Sequence, residues 1–428
     1  MDKTGVRSAA PRYAAALIVA ALCTASHARG RVAYEAAPGG RALSFAGNHV
    51  AAVNDISATY YNPGILAFMP VREFGLSVDG LSQTTATSLY GTTEEESLQR
   101  LRFEQAGVAY AAPTSRGGFT VGGLVCKPLI FDDVNVIDAS TTRDGSTYRT
   151  DRYYKVYGQL THWSAGFGIQ PAPRLGLGMS LGLVGGSEDM RYDLYKSRNG
   201  QVDPEGKPTD NDFEQDIHKN LLGFDIRGGV AWELEKVMRL GFTLAFPQIV
   251  HFEERAEVAF PHLGYADPAI YRDGGNFRSS YRGAAGGVWY LPFATVTADV
   301  RFRAPYNLIF IDERIPSSSP AAHFRIGAGV AVEAPVVRSL LLRAGYSWDE
   351  FDTHALLEDV KGLEIDWSTN GIEASRNYHR LGAGLGYVYE NIQLEFGYGV
   401  RFWDVTTRNI MTEEHVLHRI SLAFASGF

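Results

Sequence analysis

The rhythm of its connections constrains this chain more than any other feature. From residue 71 onward apolar residues recur with period two, the mark of strands with one face against lipid or a core. Leu175, Leu177, Met179, Leu181 and Leu183 alternate with Gly176, Gly178, Ser180 and Gly182. Ala294 to Phe302 and Ile392 to Phe402 repeat the pattern with Asp299, Arg301, Glu395 and Arg401 on the other face. Fourteen such runs are predicted, at 71–80, 103–112, 118–127, 151–170, 173–187, 219–232, 238–250, 279–290, 292–304, 322–334, 338–349, 376–389, 391–404 and 416–428. Short links such as Pro113 to Gly117, Pro171-Ala172 and Glu390 alternate strictly with long ones, at 81–102, 128–150, 188–218, 251–278, 305–321, 350–375 and 405–415. A soluble sandwich has no reason to keep that alternation. A transmembrane barrel does, with tight turns at one rim and long loops at the other. The expected fold is therefore all-β: a fourteen-stranded antiparallel transmembrane β-barrel over 71–428.

The first residues read differently. Lys3, Arg7 and Arg12 precede an uncharged apolar run, Tyr13 to Leu22, and Ser26-His27-Ala28 offers a cleavage site. This predicts a cleaved export signal over 1–28, since a span needs about 20 apolar residues. Cys23 follows Leu22, where lipoprotein processing wants a small side chain. Cys126 alone remains after cleavage, so no internal disulfide forms. A formal charge of −8 without long runs of one sign argues against a nucleic-acid partner. No later stretch is long and apolar enough for a transmembrane helix, while 46 Gly, 22 Tyr and 23 Phe suit a glycine-lined, aromatic-belted barrel.

The chain stops on an alternating strand, Ile420, Leu422, Phe424, with Phe428 in phase. Such an ending resembles the signal read by the barrel-assembly machinery, an expected partner through this strand. Trp163, Trp289, Tyr290, Trp348, Tyr387, Tyr389 and Trp403 fall near strand ends, where interfacial girdles belong.

Residues 29–70 do not alternate. Gly40-Arg41-Ala42 is followed by Ala51-Ala52-Val53-Asn54-Asp55 and then by Asn62-Pro63-Gly64. This order resembles the start of mature proteins in the long-chain fatty-acid (FadL) and hydrocarbon transporter family of outer-membrane proteins. There a Gly-Arg-Ala stretch, an Ala/Asp-rich segment and an Asn-Pro-Ala motif form a hatch inside the barrel. Gly64 departs from the family's Ala. The resemblance implies an N-terminal hatch inside the lumen, over 29–70. It also implies an apolar groove on the third and fourth external loops, to which Phe252, Phe260 and Leu263 would belong, although the third loop is very polar. A kink in the third strand, at Gly122-Gly123, would open a lateral exit.

No catalytic motif stands out and no metal-ligand spacing is present, so neither an enzyme nor a cofactor is expected. His218, His251 and His262 fall in loops. Projecting the strands places Arg301, Arg303, Arg325, Arg380, Arg401 and Arg419 in the outer half of the lumen. Charge inside a membrane protein is costly unless paired or functional. These arginines either receive the carboxylate of an amphipathic ligand or pair with loop acids and Asp55. Taken with the resemblance, the chain is expected to be an outer-membrane passive transporter for hydrophobic or amphipathic small molecules. A secretion or protein-interaction partner acting through its loops, and a general porin, are the other readings.

Overall fold

A computed structural model of the chain describes residues 34–69, 72–143, 145–198, 211–235, 237–260, 265–278, 280–304, 324–350, 357–358, 372–374, 378–407 and 411–427. The expected signal segment, His262, Leu263 and Phe428 lie outside these residues.

Each of the fourteen expected strands is present. They are β1 (Glu73–Leu89), β2 (Thr92–Ala112), β3 (Phe119–Ile130, continuing as Asp133–Arg143) and β4 (Ser146–Ala172). Then come β5 (Leu175–Arg198), β6 (Asn211–Leu234), β7 (Met238–Ala245, continuing as Ile249–Phe260) and β8 (Tyr265–Arg278, continuing as Arg282–Tyr290). The ring is completed by β9 (Thr295–Arg303), β10 (Arg325–Val337), β11 (Leu340–Asp349), β12 (Tyr378–Tyr389), β13 (Ile392–Thr407) and β14 (Met411–Gly427). Each pairs antiparallel with the next. β14 closes on β1 from Glu73↔Gly427 to Leu89↔Met411.

Alternation does what the sequence requires. On β1, Phe74, Leu76 and Val78 face outward while Ser77, Asp79, Gln83 and Thr85 are buried in the lumen. Leu222 and Phe224 are 62% and 67% exposed, and Leu181 and Leu422 are also uncovered. An apolar belt of that extent is untenable in water and belongs in lipid. The tight links lie at one rim. At the other rim several expected loops turn out to be strand. Residues 81–102 form the ends of β1 and β2, joined at Tyr90-Gly91, whose φ values of 52° and 84° are those of a tight hairpin. Residues 251–260 likewise continue β7, paired with both β6 and β8.

Inside the ring sits the N-terminal segment. It carries helix α1 (Gly40–Ser44), helix α2 (Ala58–Tyr61) and a 3-10 turn, Pro63–Phe68. Its Val53, Ile56, Tyr60, Ile65 and Leu66 form a core with Leu124, Cys126 and Ala231 of the wall. The fit is close enough to need missing side chains. A Cβ on Gly64 would lie 2.8 Å from the backbone of Gly229, and one on Gly178 would lie 2.1 Å from the Pro63 carbonyl oxygen. The departure from Asn-Pro-Ala thus has a steric reason, because the turn is pressed onto β6. Asn62 sets the turn: its side-chain oxygen accepts the Gly64 N–H at 3.1 Å, and its amide donates to the carbonyls of Val50 and Val230.

Gly64→Ala is therefore expected to destabilise the refolded barrel by about 1–3 kcal/mol through overpacking. Gly123→Ala, whose added Cβ meets nothing within 4 Å, should be near neutral. Urea midpoints in lipid vesicles check both.

Candidate functional site

Between the inner segment and the wall lies a cavity of about 130 Å³. Ala36, Ala37, Gly47, Val50, Tyr60 and Tyr61 line it from inside. The wall contributes Arg227 from β6, Arg282 from β8, Arg301 and Arg303 from β9, Arg325 from β10 and Arg380 from β12. Asp299, Asp349 and Glu350 are the acids among its described lining residues. Phe302 and Ile326 add apolar surface.

The charges are organised in pairs. Asp349 bridges two strands, accepting from Arg301 Nε at 2.9 Å and lying 3.3 Å from Arg380 Nη2. Asp225 holds Arg227 at 2.6 Å and lies 3.9 Å from Arg282. Arg227 also lies over the Tyr60 ring at 3.8 Å and donates to the Tyr60 carbonyl at 2.9 Å. Asp299 is committed to the inner segment, accepting the Val50 N–H at 2.9 Å. Arg301 reaches the Gly47 carbonyl at 3.4 Å. Inner segment and arginines are thus mechanically linked.

Of the arginines expected from the sequence, Arg301, Arg303, Arg325 and Arg380 converge on this cavity. Arg401 does not. It stacks over Tyr378 at 4.7 Å and borders a smaller hollow, about 30 Å³, shared with Arg380 and Arg419. Arg419 is held by Asp79 and Glu104, each at 2.9 Å. Sequence reasoning missed Arg227 and Arg282. Both sit in expected strands with glycine-rich surroundings, the signal that could have found them. Asp55 is not among the residues lining the cavity; it accepts the Ser57 N–H at 2.8 Å.

The motif residues act as anchors. Arg41 forks onto Glu333 at 3.2 and 3.1 Å, donates to the Ala52 carbonyl at 2.8 Å and bonds the Asn54 side chain. Glu333 also receives Arg343, which in turn lies 3.0 Å from Glu395. Gly40 lets α1 lie on β13, since a Cβ there would stand 3.2 Å from that of Glu395.

Two expected features move. Phe252 is not on an exposed groove: β7 extends past the belt, and Phe252 points inward, 2% exposed, among Leu129, Phe131, Val184 and Leu221. Phe260 is the last residue of that strand. Gly122 and Gly123 lie in an unbroken ladder, opposite Ala109 and Val108. The break comes later. The β2–β3 pairing ends at Gln105↔Cys126, and the β3–β4 register slips between Cys126 and Leu129. Pro128, which has no N–H to offer a neighbour, explains the site. A two-residue strand of the inner segment, Tyr34–Glu35, pairs instead with Ile130 and Leu129.

His49 is the odd group of the inner segment. It is 1% exposed, stands edge-on to Tyr61 and Phe45, and neither ring nitrogen has a hydrogen-bond partner among the described residues. Burial, reinforced by Arg41 and Arg343, holds its pKa well below the usual range. The seated segment therefore keeps a neutral imidazole, whereas the released one titrates near its ordinary value, about 6.5. The released form binds more protons, so seating should weaken as pH falls below about 6.5. Hydrogen exchange over 40–66 between pH 7.5 and 5 checks this, and His49→Phe should flatten the dependence.

No family model matches the sequence, and no curated protein does. Solved structures match in fold. A Pseudomonas aeruginosa FadL homologue aligns with a TM-score of 0.62 at 11% identity, covering 93% of this chain and 100% of that one. The Pseudomonas putida toluene transporter TodX gives 0.59 at 14% identity, over 92% and 99%. The Ralstonia pickettii toluene transporter TbuX gives 0.56 at 13%, over 91% and 98%. The chain has the fold of these FadL-type barrels.

Proposed function

We propose that the protein is an outer-membrane passive transporter for small hydrophobic or amphipathic molecules, a divergent member of the FadL and hydrocarbon transporter family. The observation that carries this reading is the cavity itself. It brings Arg301, Arg303, Arg325 and Arg380 together with Tyr60, Tyr61 and Phe302, behind an inner segment whose Gly47 carbonyl Arg301 reaches. The fold neighbours named as toluene transporters support a hydrophobic cargo. Toluene has no acidic group, whereas the arginines here favour a cargo with an anionic head, such as a long-chain fatty acid.

In this reading residues 29–70 are the hatch, and the chain reaches the outer membrane through a cleaved signal over 1–28 and the assembly machinery's use of its last strand. Cargo enters from the rim carrying the long loops, past the apolar layer of Phe131, Val250 and Phe252. Its head group then competes with Asp349 for Arg301 and Arg380, beside Arg303 and Arg325. Losing those contacts loosens the hatch, since Arg301 and Asp299 are the groups that hold Gly47 and Val50. Cargo leaves sideways where β2 and β3 part, beyond Cys126. An open porin is disfavoured because the inner segment packs directly on lumen backbone.

Titration of the refolded protein with a long-chain fatty acid, followed by tryptophan fluorescence, should show saturable quenching. Reversing Arg325 and Arg380 to Glu should weaken it by about tenfold or more, the loss of a charge-assisted bond. Unchanged affinity in a folded variant would remove the arginines from the site. Toluene quenching untouched by the same reversals would separate a failed head-group assignment from a failed transporter reading.

A further inference from the structure

We propose that the outer face of the wall between β2 and β5 holds one glycerophospholipid. Its acyl chain occupies a hollow over Gly123 and Ala165, and its phosphate sits at the short-turn rim beside Arg72 and Arg116. The inference rests on the lipid-facing belt and is independent of any cargo.

The hollow is set by register. Phe74 pairs with Val108, Val108 with Gly123, Gly123 with Ala165, and Ala165 with Leu181, so these five form one outward row. The next row towards the turns runs through Tyr110, Val121, Phe167 and Met179. At the centre of the upper row there is no side chain and then a single methyl, between larger neighbours on every side. The result is an apolar hollow of about 590 Å³.

Nothing within the protein demands glycine at 123. Its φ is not in the left-handed region, and an added Cβ would meet no atom within 4 Å. Gly122, by contrast, faces the lumen, where a Cβ would stand 2.8 Å from Thr59 Oγ1. What Gly123 produces is the hollow alone. In a bilayer such a concavity must be filled, because a lining without partner atoms forfeits its dispersion contacts. A flexible acyl chain is the filler at hand.

The rim below supplies charge complementarity for the head. Arg72 lies over the Tyr110 ring at 4.3 Å and donates one bond to its hydroxyl at 3.0 Å, which fixes a guanidinium at the girdle. A guanidinium carries five donors in a fork suited to phosphate. Arg116 is exposed in the turn between β2 and β3. The links 113–118 and 171–174 contain no acidic residue. Tyr110 borders the hollow and stands one row, about 7 Å along a strand, below Val108 in the Gly123 row, a step the glycerol region spans.

The full chain would be reconstituted in phosphatidylcholine vesicles doped with phosphatidylglycerol bearing a diazirine on one acyl chain, irradiated, and mapped by peptide mass spectrometry. Adducts are expected to concentrate on 119–125 and 163–167. Filling the hollow with Gly123→Leu and Ala165→Leu should lower that yield by about fourfold for each methylene displaced. Arg72→Glu with Arg116→Glu should abolish the preference for phosphatidylglycerol over a phosphatidylcholine probe. Adducts spread around the belt in proportion to exposed area would overturn the site, and that map needs only the unaltered protein. Concentrated adducts insensitive to the charge reversal would overturn the phosphate assignment.

Discussion

The pairing of β1 with β14 is the interaction on which everything else depends. Hydrocarbon offers no partner to a backbone amide or carbonyl, so a sheet in a bilayer must have no edge. Closure from Glu73↔Gly427 to Leu89↔Met411 joins the first strand to the last and makes the sheet a ring. It also divides the residues into two solvents. Outward positions become a belt of Leu, Val, Ile and Phe, and inward ones are left to find polar partners in an interior screened from lipid.

That interior is settled by two different devices. Near the tight-turn rim the wall is stripped to glycine, and the inner segment lies directly on strand backbone at Gly178 and Gly229. Deeper in, where arginines point inward, charge is matched across strands that are far apart in sequence: Arg41 with Glu333, Arg301 and Arg380 with Asp349, Arg419 with Asp79 and Glu104. The first device fixes position by shape, the second by electrostatics. Under the proposed function a cargo that competes for guanidinium groups would act only on the second.

The belt is what made the fold legible. Where Leu175 to Leu183 alternate with glycine and serine, lipid and lumen write opposite demands on adjacent residues, and all fourteen strands were found on that contrast. Above the belt both faces are wet, and the pattern fades. Thr92 to Gln99 and Asn211 to His218 therefore read as loops although they are strand. The cavity was partly legible, because inward arginines can be projected from the alternation. Which acids meet them could not be, since Asp349 and Glu333 come from distant strands and their register is unknown beforehand. The resemblance puts the break at Gly122-Gly123, whereas the ladder ends at Cys126, beside Pro128. A proline removes a hydrogen bond from the ladder, while a glycine merely removes a side chain.

The threading of the chain sets an order of events. Residues 36–69 precede β1 covalently, lie within the ring, and fill it down to the strand backbone. The last hairpin must then dock against the first strand around an occupied interior, or the insert must be drawn into a finished cylinder against its own desolvation. In the first case the insert is a mandrel on which the sheet curls, and its Tyr34–Glu35 strand pairs with Leu129 and Ile130 of β3, just past the end of the β2–β3 ladder. In that case the part proposed to yield when cargo passes is the same part that gives the wall its curvature.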